Sequence, residues 1–308
     1  MSFSSDVKKE LCGVSFGKCA LAELGGIIYT SGIIGLGSTG MSLSIHTENE
    51  DFMRRVFSLE KKCLGIECDL MMKQNRMKKR NTFIIVIDGT ENVEKTFDAI
   101  GLSIDGLIHA DDEKLAELTA KPACRHAFLR GAFLGCGTMA DPAKIYHLEF
   151  LTNLKELTVP LLNILSNIGI TAKVSPRKDS QVVYIKGSES IALLLSCMGA
   201  RSSVIELNNI FIEKEIKNGV NRRVNFENAN IDRAVSSAMR QISSIQTIID
   251  FGRYDGLSQG LREACELRLA NPEDTLAELA EAGGISRSCI THRLNKIDEI
   301  AKQLLSAK

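Results

Sequence analysis

The chain has 308 residues, 44% hydrophobic and 25% charged, which suits a globular protein with core enough for two or three domains. Its 38 basic and 38 acidic side chains cancel, which excludes a whole-molecule field drawing in nucleic acid or acidic lipid. Any nucleic-acid site must therefore be a local patch.

The elements follow in order. Ser4-Ser5-Asp6 before Val7 reads as a capped helix start, and Cys19–Ser31 as an apolar helix. Met41–His46 alternates like a strand, and Glu50–Leu64 carries Phe52, Val56, Leu59 and Cys63 on one helical face. Ile66–Met72 and Thr82–Ile87 are predicted strands, joined by the basic run Lys73, Arg76, Lys78, Lys79 and Arg80, with a short helix over Val93–Ile100. The order then recurs: helix Cys124–Leu134, strand Tyr146–Leu151, helix Leu154–Ile168 capped by Thr152 or Asn153, strand Ile170–Val174, turn Ser175–Ser180, strand Gln181–Lys186 and helix Ser188–Met198. Arg201–Asn218 has helical spacing. Residues 219–230, rich in Asn and Arg, read as a linker. Ile231–Phe251 and Ser258–Ala270 are predicted helices, a further helix opens at Asn271-Pro272-Glu273-Asp274-Thr275 and ends at Gly283-Gly284, and Ser286–Leu305 is the last.

The recurrence extends to details. Leu64-Gly65-Ile66 echoes Ile168-Gly169-Ile170, and Asp88-Gly89-Thr90-Glu91 echoes Lys186-Gly187-Ser188-Glu189. An internal repeat of this length implies two similar αββαββ-like halves about a pseudo-twofold axis. Two apolar glycine-bearing stretches, Ala22–Gly32 and Ala127–Thr138, would lie side by side on that axis, since small residues let backbones approach closely. The expected division is a first half over 1–110, a second over 111–218, the linker over 219–230 and a helical domain over 231–308. The fold class is α+β followed by an all-α region.

The nine cysteines fall singly, without a CxxC pair, and read as small buried residues in a reducing cytoplasm, neither disulfides nor ligands. No run reaches the roughly 18 apolar residues that a membrane span needs, and Met1–Glu10 lacks a signal-peptide core, so no membrane partner is expected.

The most specific functional signal is Thr275–Ile297. It reads helix, glycine turn, helix, with Leu276, Leu279, Ala280, Ile285, Ile290, Leu294 and Ile297 turned inward, which is helix-turn-helix spacing. The second helix bears Arg287, Ser288, Thr291, His292, Arg293 and Lys296 and no acid from Ser286 to Ile297, a set suited to phosphates and base edges. The alternative is a helical hairpin with a merely solvated face. The basic run from Lys73 to Arg80 could follow a DNA groove or simply keep a hairpin tip soluble. Gly13–Cys19 imitates a phosphate loop but is one residue short and lacks the hydroxyl after Lys18. Arg125, His126 and His147 have no cysteine or acid arrangement near them that suggests nucleophilic catalysis, and read as structural or surface residues.

Leu24–Gly32 and Leu129–Gly137 resemble the paired motifs of LAGLIDADG homing endonucleases. In that family the eighth motif position of each helix is a metal-binding acid. Here those positions are Ser31 and Cys136, so the resemblance implies the fold and argues against metal, cofactor and cleavage. Joined to a C-terminal helix-turn-helix, and with Tyr146-His147-Leu148-Glu149, Asn221-Arg222-Arg223-Val224-Asn225 and Ile285–Ala301, the chain is similar to the bacterial WhiA family. That resemblance implies a non-enzymatic, nucleoid-associated DNA-binding regulator of sporulation, cell division or chromosome segregation. Its partners would be promoter DNA and another transcription regulator or RNA polymerase. The alternatives are an active nuclease using Glu23, Asp141 or Glu149, and a protein-interaction scaffold.

Overall fold

The computed structural model describes residues 2–37, 40–75, 80–104, 108–152, 157–177 and 180–306. The chain forms two compact bodies, Met1–Glu215 and Ile216–Lys308.

In the first body each half opens with an apolar helix running directly into a strand. These are α2 (Ala20–Ser31) into β1 (Gly32–Gly37) and α6 (Pro122–Cys136) into β7 (Gly137–Met139), preceded by α1 (Phe3–Cys12). The first half continues through β2 (Gly40–Thr47), α3 (Glu50–Leu64), β3 (Asp69–Asn75), β4 (Arg80–Asp88) and α4 (Thr90–Ile100). The second continues through β8 (His147–Thr152), α7 (Thr158–Ser166), β9 (Lys173–Arg177), β10 (Ser180–Lys186) and α8 (Ser188–Met198). A hairpin, β5 (Leu102–Ile104) and β6 (Ile108–Ala110), and α5 (Asp112–Leu118) join them. The two sheets have the same antiparallel topology, β1-β2-β4-β3 and β7-β8-β10-β9. Each buries one face: Leu43, Ile45, Ile85 and Ile87 in the first, Leu148, Phe150, Val183 and Ile185 in the second. The helix α3 shows how local chemistry sets an element. Asn49 caps its start by accepting from the Phe52 N–H, Lys61 and Lys62 occupy its last turn, and Gly65 ends it at φ 67°.

Helices α2 and α6 cross where a β-carbon on Gly26 would collide with the Phe128 carbonyl and one on Gly131 with the Glu23 carbonyl. Gly26 and Gly131 are equivalent in the repeat, so both sides of the crossing use the same device. Beneath it lies a buried charge cluster. The Glu23 carboxylate accepts from Arg55 and from Arg130 Nε (3.0 Å) and Nη2 (2.6 Å). Arg55 Nη1 also donates to the carbonyls of Cys12 and Val14, and Arg130 Nη1 to that of Met198. One carboxylate thus ties α1, α2, α3, α6 and the end of α8 together.

The second body contains the C-terminal part of α9 (Arg201–Asp250), then α10 (Gln259–Ala270), α11 (Leu276–Ala282) and α12 (Arg287–Ser306). Its core is Ile245, Ile248, Ala264, Cys265, Leu279, Ala280, Ile290, Leu294, Ile297 and Ala301. Arg268 is buried and holds the α10–α11 loop by donating to the carbonyls of Asn271 and Asp274.

Several expectations are corrected. The linker at 219–230 is helical: α9 runs unbroken from Arg201 to Asp250. The stretch holds no proline, and Gly219 is not at positive φ, so its Asn-rich composition weakens the helix without ending it. Cys19 and Cys124, expected unpaired, form a disulfide across a separation of 105 residues, the offset between Gly26 and Gly131. They are equivalent positions at the starts of the crossed helices, with Cα atoms 4.9 Å apart, a relation invisible in local spacing. The other described cysteines are free. Strands β1 and β7, the β5–β6 hairpin and α5 were not expected. β3 and β9 begin three residues later than predicted, because Ile66 and Ile170 bury themselves in the turns before the strands. The turn predicted at Ser175 is still strand: Pro176 is tolerated because β9 is an edge. α7 starts at Thr158, and Asn153, Leu154, Lys178 and Asp179 lie outside the described residues.

Candidate nucleic-acid interface and the ends of the crossed helices

The ends of α2 and α6, where a LAGLIDADG nuclease would hold metal, offer no hard-cation site. Ser31 Oγ donates to its own helix at the Ile27 carbonyl (2.7 Å), and Thr30 Oγ1 donates to the Gly26 carbonyl (2.8 Å). Cys136 is half-buried, and burial pushes its thiol up to about 12, so it stays protonated. A cation from the chain itself sits beside it. Lys8 Nζ donates to the Leu134 carbonyl (3.1 Å) at the C-terminal end of α6, where the helix dipole favours positive charge. Among the described residues, no group of three or more His, Cys, Asp or Glu side chains could hold a metal ion. The donor set of a hydroxyl and a protonated thiol does not fit Mg²⁺, which requires oxygen ligands with carboxylate character.

The other carboxylates considered for cleavage are occupied elsewhere. Glu23 is fully buried between two arginines. Glu149 lies on β8 with His147 (3.3 Å) and Arg177 (3.5 Å), and Asp141 caps the Ala143 N–H. Arg125 donates to the carbonyls of Thr119 and Ala120 at the end of α5, a structural role.

The open faces of the two sheets differ. The register of the second brings Thr138, Glu149, Tyr184 and Lys173 into one cross-strand row, with His147 opposite Lys186 beside it. Lys186 lies over the Tyr184 ring at 5.3 Å, and Arg177 is exposed on the same face. The first sheet instead presents Ile33, Met71, Ile84 and Val86 with Asp69 and Asp88. Of the predicted basic hairpin, Lys73 is exposed on β3 and Arg80 begins β4, while Arg76, Lys78 and Lys79 lie outside the described residues.

The helix-turn-helix is built from its caps inward. Thr275 and Glu278 form a reciprocal capping box on α11, satisfying two helix-end N–H groups. Gly284 turns the chain at φ 63°, and Ser286 caps α12 by accepting from the Cys289 N–H (3.2 Å). Of the predicted inward set, Leu279, Ala280, Ile290, Leu294 and Ile297 are buried, and Leu276 and Ile285 pack against them. The predicted contact residues divide three ways. Arg287, Ser288, His292 and Lys296 are exposed, with Ser288 hydrogen-bonded to Ser286. Thr291 is half-buried, its hydroxyl donating to the Arg287 carbonyl (2.6 Å). Arg293 lies on the shoulder facing α10, paired with Glu263 (3.2 Å) and packed against Gly260. Lys296 pairs with Glu299 (2.9 Å), an exposed contact that an incoming phosphate could displace. Asn295, not among the predicted contact residues, is exposed on the same stripe. The helical spacing Ser288–His292–Asn295–Lys296 was the available signal.

A duplicated LAGLIDADG-type scaffold without its metal-ligating pair, continued by a helix-turn-helix, is the class this fold and site define. Family models match along the chain: the WhiA N-terminal LAGLIDADG-like domain at residues 17–103, the WhiA LAGLIDADG-like domain at 125–217 and the WhiA C-terminal HTH domain at 220–301. The chain is 39% identical to the probable cell division protein WhiA of Clostridium botulinum (strain Eklund 17B / Type B), covering 99% of each, and 36% identical to that of Desulforamulus reducens, covering 100% of this chain and 98% of the relative. Its structure is similar to full-length DUF199/WhiA from Thermatoga maritima, with a TM-score of 0.60 at 26% identity over 98% of this chain and 99% of that one. The chain belongs to the WhiA family.

Proposed function

We propose that this protein is a sequence-specific DNA-binding regulator that reads double-stranded promoter DNA through α12 and does not cut it. The observation carrying this reading is the exposed, base-rich stripe Arg287, Ser288, His292, Asn295 and Lys296 on a doubly capped helix-turn-helix. Arg and Lys supply phosphate and guanine contacts, Asn can pair bidentately with adenine, and the α12 N-terminus adds its dipole. Loss of cleavage rests on Ser31 and Cys136. Several curated relatives are named probable cell division proteins, so the process proposed is cell division and chromosome segregation, exercised from the nucleoid through transcription, with sporulation as its counterpart in mycelial relatives. Another transcription regulator or RNA polymerase is the protein partner such a role calls for. Lys73 and the remainder of the basic hairpin to Arg80 form an auxiliary phosphate contact.

Chromosome-wide mapping of bound sites in growing cells tests the reading. Discrete peaks at promoters that vanish when Arg287 and Lys296 are replaced by alanine are expected; peaks that persist would remove α12 from the account. Incubation of the purified protein with promoter-bearing plasmid and Mg²⁺ or Mn²⁺ should leave the plasmid intact. Clean, site-specific cutting would overturn the assignment of the two helix ends.

A further inference from the structure

The middle of α9 is a helix without a companion. From Ile216 to Ser236 every side chain is exposed except that of Ala229, which is half-buried, and none is buried by the described residues. The stretch is also a weak helix former, with Gly219 and the asparagines Asn218, Asn221, Asn225, Asn228 and Asn230. Helices in proteins draw most of their stability from packing an apolar face. This one has such a face: Ile216, Val220, Val224, Ile231, Val235 and Met239 are between 47% and 68% exposed. Their spacing keeps them within one broad stripe.

The stripe has two features that say what covers it. Its spacing is a palindrome about the midpoint between Glu227 and Asn228. An antiparallel copy of the same helix places Ile216 opposite Met239, Val220 opposite Val235 and Val224 opposite Ile231, and the exchange is reciprocal, as a twofold interface demands. The polar centre at Glu227 and Asn228 sets the register, because a slip of one turn would set polar side chains against valine. The second feature is the charge on the stripe's edges. Glu227 and Asp232 lie on opposite edges five residues apart, the spacing at which a parallel pair brings edge residues together, so a parallel pair would oppose two carboxylates on each side. In an antiparallel pair like edges face. Asp232 then meets the edge of Asn221, Asn225 and Asn228, and Arg223 stays with Glu227, its partner at 3.2 Å within the helix.

We propose that α9 pairs with α9 of a second copy of this chain, antiparallel, about a twofold axis between Glu227 and Asn228. The pair carries two copies of α11–α12 into one particle. Their use on a twofold-repeated DNA site rests on the function proposed above, but the pairing does not.

Sedimentation equilibrium of the full chain without DNA, over two decades of concentration, is the test. A reversible monomer–dimer equilibrium is expected. Val220→Glu or Val235→Glu should weaken it at least about tenfold, since each places a charge where a valine would be desolvated. Circular dichroism separates loss of pairing from loss of fold. Orientation is read independently by oxidising single-cysteine variants: a mixture of Val220→Cys and Val235→Cys should cross-link beyond the parent chain, while neither variant alone should. A monomer at every concentration, a dimer indifferent to both glutamates, or cross-linking of Val220→Cys to itself would each overturn the proposal.

Discussion

The helix pairs α2–α6 and α11–α12 both rest on apolar faces, yet they dispose of their polar groups in opposite ways. In the first pair, Glu23 is consumed by Arg55 and Arg130, Thr30 and Ser31 bond back to their own helix, and Lys8 rests on the Leu134 carbonyl. In the second, the caps are satisfied and Arg287, His292, Asn295 and Lys296 point outward. The difference teaches where function can reside. A side chain already satisfied inside the protein contributes stability, and one held on a rigid helix without a strong internal partner can recognise something else. Substitutions in the first pair should therefore change stability while leaving the DNA affinity of the folded molecule alone, and those in the second should do the reverse.

The largest effect is expected at the closed pair. Glu23→Ala leaves two buried guanidinium groups without their carboxylate and should cost on the order of 3–5 kcal/mol in a denaturant titration. DNA affinity corrected for the folded fraction should not move. If it fell as well, the separation of roles would fail.

A second test uses a polar group the first body does not satisfy. Glu60 on α3 is fully buried, and neither carboxylate oxygen has a hydrogen-bond partner among the described residues. Burial pushes its carboxyl up to about 7. The folded state thus keeps its proton to higher pH than the unfolded chain. Stability from this group is full below the unfolded pKa and falls as pH rises through about 7, by on the order of 3 kcal/mol in all. Glu60→Gln should flatten the change in denaturation midpoint between pH 5 and pH 7; a slope equal to that of the parent would remove Glu60 as its source.

The open pair should respond in affinity. Replacing Arg287 and Lys296 by alanine should weaken DNA binding by about 1–3 kcal/mol at unchanged melting temperature, read by fluorescence anisotropy. Arg293, paired with Glu263, is expected to matter less to DNA and more to the docking of α10 on α12. The smallest effect is at the cap. Ser286→Ala should cost about 1 kcal/mol of stability, and Ser286→Asn should restore most of it.

Much of this contrast was legible in the sequence. The repeat, the crossed glycine helices, the missing acids and the helix-turn-helix core all follow from local pattern, because each depends on spacing within one element or on equivalent positions in two. What escaped depended on the third dimension. The ion cluster joins Glu23, Arg55 and Arg130 from three helices, and Cys19 meets Cys124 only because their helices cross. β1 was missed because glycine at both ends and the centre of Gly32–Gly37 hides its strand character. Which shoulder of α12 carries Arg293, facing Glu263 of α10, is likewise set by packing and not by spacing within the helix.

The claim that α12 is the DNA reader is tested most directly by the salt dependence of binding. The full chain and its Arg287→Ala/Lys296→Ala variant would be titrated onto one promoter fragment across a range of salt concentrations. The logarithm of affinity should fall linearly with the logarithm of salt for the parent, with a slope shallower by about 2 for the variant, about one unit per lost phosphate contact. An identical slope and affinity for the two proteins would contradict the account.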